Sequence, residues 1–302
     1  MNKLFTFILL ITAFVSCSQS ESHHDLETRL TEFVKDKDAE IGIAIIIDGK
    51  DTVSINGNKP FPMLSVYKFP IALALAEEYR AGNLDFAKTI PVTRDDLHPD
   101  TYSPMTEKIL ASDSAFTAPL VLSTRQILEY MLQQSDNNAS DLALKTLKGP
   151  ANAMTILGKI EEVRGINIAS TEDEMHHDNT LCYKNTATPL AMARLLDTFD
   201  TRYHDPLSME IKQIMESCAT GEKRLPRPLT PVKAVIGHKT GTGFTLPDGT
   251  LMAVNDVAYV HLPDGHRYSI AVFIAHSGYS MEETENLIAQ ISEIVLSHID
   301  KQ

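Results

Sequence analysis

The stretch Leu64-Ser65-Val66-Tyr67-Lys68-Phe69-Pro70, running on into Ile71-Ala72-Leu73-Ala74-Leu75-Ala76, sets a serine one helical turn ahead of a lysine at the head of an apolar helix. Residues three apart on a helix share a face, so Lys68 can reach the hydroxyl of a Ser65 placed at the helix N-terminus. The unpaired N–H groups of the first turn then face a developing oxyanion. A hydroxyl is a poor nucleophile at neutral pH and needs an adjacent base; a lysine that is desolvated or held beside other cations can lose its proton and serve. Ser-x-x-Lys carries little weight alone, because it arises by chance about once in a chain of this size at average composition. The run 71–76 is apolar on all sides, which predicts a helix buried all round, with Ala81-Gly82-Asn83 ending it. With Ser65 as the cap, Pro70 forfeits one backbone hydrogen bond near the helix start.

Upstream, Asp25 to Lys37 reads as a short helix with Leu26, Leu30, Phe33 and Val34 on one face. Ile41 to Ile47 is an unbroken β-branched run that suits a strand buried on both faces, and Asp48-Gly49 turns it back into Asp51 to Ile55. Two strands and a helix are too little for a domain. The missing sheet lies at the far end of the chain: Lys233 to Thr242, Val254 to Leu262 and Tyr268 to Ala275 read as strands, followed by a helix from Met281 to His298. The expected architecture is α+β: an antiparallel sheet of about five strands with flanking helices, built from residues 25–58 and 230–302, plus an all-helical subdomain over residues 59–229. Inside that subdomain Ser123-Thr124-Arg125-Gln126 is a capping box opening a helix to Gln134. Asn138 to Leu147 and Ala151 to Val163 continue as helices around Gly149-Pro150. Thr171 to Asn185 has no helical or strand period, and so long a loop in a compact domain is usually functional.

The 302 residues carry a formal net charge of -13, which argues against a nucleic-acid partner, since phosphate binding needs a basic face. Lys3 followed by the apolar run Leu4 to Val15 reads as an export signal covering residues 1–16, too short to span a membrane comfortably. It ends at Ser16-Cys17, which resembles the lipobox of bacterial lipoproteins, with Phe14 standing where an aliphatic residue is usual. The expected location is the periplasm, with lipid on Cys17 as the only membrane tie. Cys182 and Cys218 allow at most one bridge, and their pairing stays open. No metal or other cofactor is expected: neither Cys-x-x-Cys nor His-Glu-x-x-His occurs, and His176-His177 lacks the i, i+4 spacing of a helical metal pair.

Two further triplets give the opening motif its weight. Ser135-Asp136-Asn137 falls in the turn between two helices, and Lys239-Thr240-Gly241 falls on the first of the late strands. With the only Ser-x-x-Lys in the chain they complete the three-part set shared by class A β-lactamases and penicillin-binding proteins. The chain resembles a class A serine β-lactamase over nearly its whole length after the signal, which implies the β-lactamase/DD-peptidase-like fold. The loop Glu172-Asp173-Glu174-Met175-His176 is similar to the family's Ω-loop signature, with His176 in place of the usual asparagine. That departure, together with Thr220-Gly221-Glu222-Lys223-Arg224, Val254-Asn255-Asp256 and Ala72 where common members carry a disulfide cysteine, resembles the branch of cephalosporinases and extended-spectrum enzymes of Bacteroidetes.

The resemblance implies a catalytic set of Ser65, Lys68, Ser135 and Glu172. Ser65 attacks the lactam carbonyl, its own N–H and that of Thr242 hold the oxyanion, and Ser135 protonates the leaving nitrogen. Asn137 holds the substrate's side-chain amide. Lys239, Thr240 and Thr242 on the Gly241-bearing strand meet the substrate carboxylate, with Arg224 as an extra cation, and Tyr102 before Ser103-Pro104 is either a hydrophobic wall or plain loop packing. Glu172 acts as general base on the deacylating water, where His176 offers a second polar side chain. Spacing selects Glu172 over Glu174, because Met175 stands at +3 and His176 at +4. Asp136 reads as a buried carboxylate ordering its turn. The expected partners are small β-lactam molecules, met by a monomer. Two alternatives share the motifs: a DD-peptidase acting on peptidoglycan, which the compact length and the Glu172 loop oppose, and a β-lactam sensor that stays acylated, which would lack a deacylating base.

Overall fold

The computed structural model describes residues 24–116 and 120–301; the expected signal and Cys17 lie outside the described residues. The sheet is built from both ends of the chain. Strands β1 (Glu40–Ile47) and β2 (Asp51–Ile55) form the early hairpin, and β3 (Val235–Thr242), β4 (Leu251–His261) and β5 (Arg267–Ser277) come late. Their order is β2-β1-β5-β4-β3, antiparallel throughout, with Ile43 of β1 opposite Val272 of β5.

Successive side chains of a strand point to opposite faces, and the two apolar clusters among the described residues divide along that alternation. Ile41, Ile43, Ile45 and Ile47 join Val254, Val272, Leu287, Ile291 and Val295 under the two terminal helices, residues 24–34 and Met281–Ile299. Ala44 and Ile46 face the other way, into the larger cluster with Phe273, Tyr259, Leu195 and Phe199. A strand covered on both faces is what the unbroken β-branched run demanded.

The Lys68–Arg80 helix runs through the middle of the helical part, and every residue from Lys68 to Ala76 is buried. Ala81 closes it and Gly82 follows at φ 75. Ser65 does not cap this helix. It lies in a 3-10 turn, Leu64–Tyr67, entered through Leu64 at φ 47, and Tyr67 is the residue that precedes the α-helix. Pro70 is therefore the third helical residue, where the N–H has no partner within the helix, and the expected loss does not arise.

Three further expectations need correction. The helix opened by the Ser123 capping box becomes a π-helical turn over Glu129–Gln133. The helix after Gly149 stops at Leu157, and Glu161–Val163 is a separate 3-10 turn; Pro150 begins that helix at a position where proline is well tolerated. Thr171 to Asn185 is not without secondary structure: it holds an α-helix, Glu172–His177, and a 3-10 segment, Asn179–Lys184. Six residues are too few to display a helical period, but Thr171 and Glu174 form a capping box that marks its start. Helices at Pro104–Ser112, Pro189–Arg202 and Pro206–Glu216 were not anticipated. Each opens with a capping Ser103, Thr188 or Asp205 followed by proline, a signal the sequence does contain.

Asp136 fixes the turn before the Asn137–Thr146 helix. Its carboxylate has no exposed surface and accepts from the N–H groups of Ala139 and Met105 and from the Ser103 hydroxyl, at 2.7–2.9 Å. Replacing Asp136 with alanine strands those buried donors, and we expect a loss of about 2–4 kcal/mol in chemical denaturation. A loss below about 1 kcal/mol, the size of an exposed ion pair, would contradict this account of the turn.

Candidate active site

The turn Leu64–Tyr67, the Asp136 turn, the Glu172–His177 helix and the edge strand β3 converge on one cleft of about 480 Å³. Ser65, Tyr102, Ser135, Asn137, Glu172 and His176 line one part of it, and Arg224, Thr240 and Thr242 another. Lys68 and Lys239 stand directly behind, without exposed surface, each bonded to a lining residue.

Lys68 Nζ donates to the Ser135 carbonyl and to Asn137 Oδ1, both at 2.7 Å, and lies 3.1 Å from Glu172 Oε1. Ser135 reaches this position through a left-handed backbone at φ 61, and its hydroxyl accepts from Lys239 Nζ at 2.9 Å. Asn137 spends its amide N–H on Thr101 Oγ1 at 2.8 Å, which fixes which end of the amide meets Lys68. Burial pushes the Lys239 ammonium down to about 7, and Lys68 and Arg224 add to that fall.

Strand β3 comes close to the Ser65 turn because Gly241 has no side chain: a Cβ there would stand 2.4 Å from the Met63 carbonyl oxygen. Asn255 on the neighbouring strand holds that turn from behind, donating to the carbonyls of Pro62 and Met63. Arg224 is buried and donates to Thr242 Oγ1 at 2.7 Å and to the carbonyls of Gly241 and Asn255, with Glu285 as its counter-charge. Thr240 bonds Thr220 Oγ1 at 2.6 Å. Two hydroxyls, a buried ammonium and a buried guanidinium are thus gathered at one edge of the sheet.

Glu174 accepts from the Thr171 N–H as part of the capping box, whereas Glu172 faces Lys68 in the cleft. His176 lines the cleft, and its Nε2 pairs with Asp100 at 3.0 Å; His98 pairs with Asp173 at 3.3 Å. These two contacts join the loop that carries Thr101 and Tyr102 to the helix that carries Glu172. Tyr102 lines the cleft and is more than half exposed.

Several working residues were not read from the sequence. Asp141, four residues beyond Asn137, accepts from the backbone N–H groups of Glu172 and Asp173 and so anchors the start of their helix. His238, one residue before Lys239, pairs with Asp256 at 3.0 Å; burial alone would push its pKa down, but Asp256 and Cys218 raise it to about 10. Cys182 and Cys218 are both free thiols. Among the described residues no group of three or more His, Cys, Asp or Glu side chains is placed to hold a metal ion.

A sequence profile of the β-lactamase enzyme family matches residues 25–299. The chain belongs to the class A branch of that family. It is 33% identical to a β-lactamase of Bacteroides uniformis over 98% of both chains, and 36% identical to β-lactamase VEB-1 of Pseudomonas aeruginosa over 96% of both. A solved class A β-lactamase from Bacteroides cellulosilyticus superposes with a TM-score of 0.85 at 29% identity, covering 93% of this chain and 99% of that one. The α+β architecture with its five-stranded antiparallel sheet is thus shared with class A enzymes of known structure.

Burial pushes the Asp141 carboxyl up from 3.8 to about 7, against the pull of the two N–H groups it accepts from. The fold then holds a proton that the unfolded chain has lost, so this residue's contribution to stability falls as pH rises from about 4 to about 7. In Asp141→Asn that dependence disappears. Melting curves should show the variant gaining on the wild type across this window, and a constant difference would mean that Asp141 ionises normally.

Proposed function

We propose that this protein hydrolyses the amide bond of β-lactam antibiotics through an acyl-enzyme on Ser65, and that this activity confers resistance. The observation that carries the reading is the buried ammonium of Lys68, held between the Ser135 carbonyl, Asn137 and Glu172 behind a cleft lined by Ser65. Ser65 Oγ attacks the lactam carbonyl carbon and gives up its proton to the Lys68–Glu172 pair, whose 3.1 Å contact lets a proton move between the two. The oxyanion is met by the N–H groups of Ser65 and Thr242. The carbon–nitrogen bond breaks, and the nitrogen takes a proton from Ser135, which Lys239 holds at 2.9 Å; Ser135 recovers a proton from the Lys68–Glu172 pair, which leaves Glu172 a free carboxylate for the second half of the reaction. Glu172 then removes a proton from water, the hydroxide oxygen adds to the ester carbonyl, and Ser65 leaves with a proton restored.

Lys239, Thr240, Thr242 and Arg224 receive the carboxylate of the antibiotic, with Gly241 letting their strand approach, and Asn137 takes its side-chain amide. Tyr102 and His176 flank the entrance. A carboxylate in the cleft beside Lys68 supports turnover rather than a permanently acylated sensor, and its position supports a lactamase over a DD-peptidase. The sheet layer and the helical subdomain meet at the cleft, and residues 17–302 act as one catalytic domain, as a monomer. No helix among the described residues is long and apolar enough to cross a membrane. Export by residues 1–16 and lipid on Cys17 would place the enzyme in the periplasm at an envelope membrane.

Ser65→Ala should abolish hydrolysis with the fold intact, a loss on the order of a million-fold in kcat. Glu172→Gln should accumulate a covalent adduct on Ser65 in intact-protein mass spectra, while Glu174→Gln turns over as wild type. The reverse pattern would show the loop to be misplaced by two residues. Mass spectrometry of the native N-terminus should find lipid on Cys17, and an unmodified start downstream of it would indicate a soluble periplasmic protein.

A further inference from the structure

The segment from Leu97 to Ser103 has neither helix nor strand, and two of its residues, Thr101 and Tyr102, line the cleft. On one side it meets the head of the Asn137–Thr146 helix: the Tyr102 carbonyl accepts from the Asn137 N–H at 3.0 Å, and Thr101 Oγ1 accepts from Asn137 Nδ2 at 2.8 Å. On the other side it meets the Glu172–His177 helix through two side-chain contacts, His98 with Asp173 at 3.3 Å and Asp100 with His176 at 3.0 Å. Each element supplies one histidine and one aspartate, so the two contacts form a reciprocal clasp. All four side chains are a third or more exposed, so the clasp does not serve to fill the core. Its place is decided by what it borders, because Asp100 is followed directly by Thr101.

Resting on the reading of the cleft above, we propose that His98 and Asp100 are positioning residues that set the preference for β-lactams with an acylamino side chain. Clasped to Asp173 and His176, they hold Thr101 against the Asn137 amide, which meets that side chain. An amide nitrogen carries two N–H groups. Asn137 gives one to Thr101, and its oxygen accepts from Lys68 at 2.7 Å, so the amide plane is fixed from both ends and the second N–H is left for a substrate carbonyl. Without the clasp the segment keeps its ties to the Asn137 helix, which include a bond from Asn138 Nδ2 to the His98 carbonyl at 3.0 Å, but loses its join to the helix across the cleft. Thr101 then moves with the group it is meant to orient. His177 also faces Asp173, at 3.5 Å, but from within the same helix, so it adds nothing to the join.

The test compares kcat and KM of wild type, His98→Ala, Asp100→Ala and the double variant on two substrates that share one nucleus. Benzylpenicillin carries an acylamino side chain, and 6-aminopenicillanic acid lacks the acyl group. Because exposed pairs of this kind have small effects, the double variant should lose about threefold to tenfold in kcat/KM on benzylpenicillin, chiefly through KM, and much less on 6-aminopenicillanic acid. Asp100→Asn keeps an acceptor oxygen for His176 and should retain more of the preference than Asp100→Ala. A role in stability alone would lower both substrates together, so an unchanged ratio of the two kcat/KM values overturns the inference, whatever the melting temperature. If the double variant does not fold, the single variants decide by the same ratio. A wild type without preference between the two substrates removes the Asn137 contact to the side-chain amide, and the inference with it; a preference that survives in the variants removes the clasp alone.

Discussion

One dry ammonium dictates how the helical part must close. Lys68 has no exposed surface, and an uncompensated charge of that kind would cost several kcal/mol. Its compensation comes from two segments distant in sequence: the Ser135-Asp136-Asn137 turn and the Glu172–His177 helix. Neither can drift without leaving the charge exposed to an apolar surround. Behind them lie two further carboxylates, Asp136 fully buried and Asp141 partly so. Asp136 ties its turn to the Pro104–Ser112 helix, and Asp141 ties the start of the Glu172 helix to the Asn137–Thr146 helix. The charge is stabilised by groups that are themselves pinned, which is how a cleft formed from loops can hold side chains within a fraction of an ångström.

The other half of the cleft obeys a different electrostatic rule. The protein as a whole is strongly acidic, yet Lys239 on β3, Arg224 bonded to the end of that strand, and Lys68 are close enough to act on one another. Burial, with Lys68 and Arg224 nearby, pushes the Lys239 ammonium down to about 7. Net charge governs solubility and distant attraction; the local arrangement governs what binds.

Much of this was legible in the sequence, and the exceptions share a cause. The β-branched run 41–47, the late strands and the triplets at 65–68, 135–137 and 239–241 are local patterns, and local patterns survive in one dimension. Of the twelve site residues named from the sequence, nine line the cleft, Lys68 and Lys239 stand directly behind it, and Gly241 brings its strand up to the Ser65 turn. What escaped was either too short to show a period, as with the helix at 172–177, or defined by distant partners. Asp141 looked like an ordinary helical aspartate, and only the return of the chain at Glu172 and Asp173 gives it a role. Asn255 reads as a polar oddity in an apolar strand until the carbonyls of Pro62 and Met63 meet it. The Ser-Pro, Thr-Pro and Asp-Pro pairs at 103, 188 and 205 are different: those helix starts were visible and went unread.

The pairing of β1 with β5 bears on how the chain acquires its shape. The central strand of the first hairpin finds its second partner only when the last strand is present, with Glu40 opposite Ala275. Contacts so far apart in sequence are slow to form, because the intervening loop must close before they contribute. The N-terminal segment thus waits, as an unpaired strand edge, for almost the whole polypeptide to be synthesised. A nascent or C-terminally truncated chain has no sheet to complete, and a polypeptide that cannot close early remains an open thread.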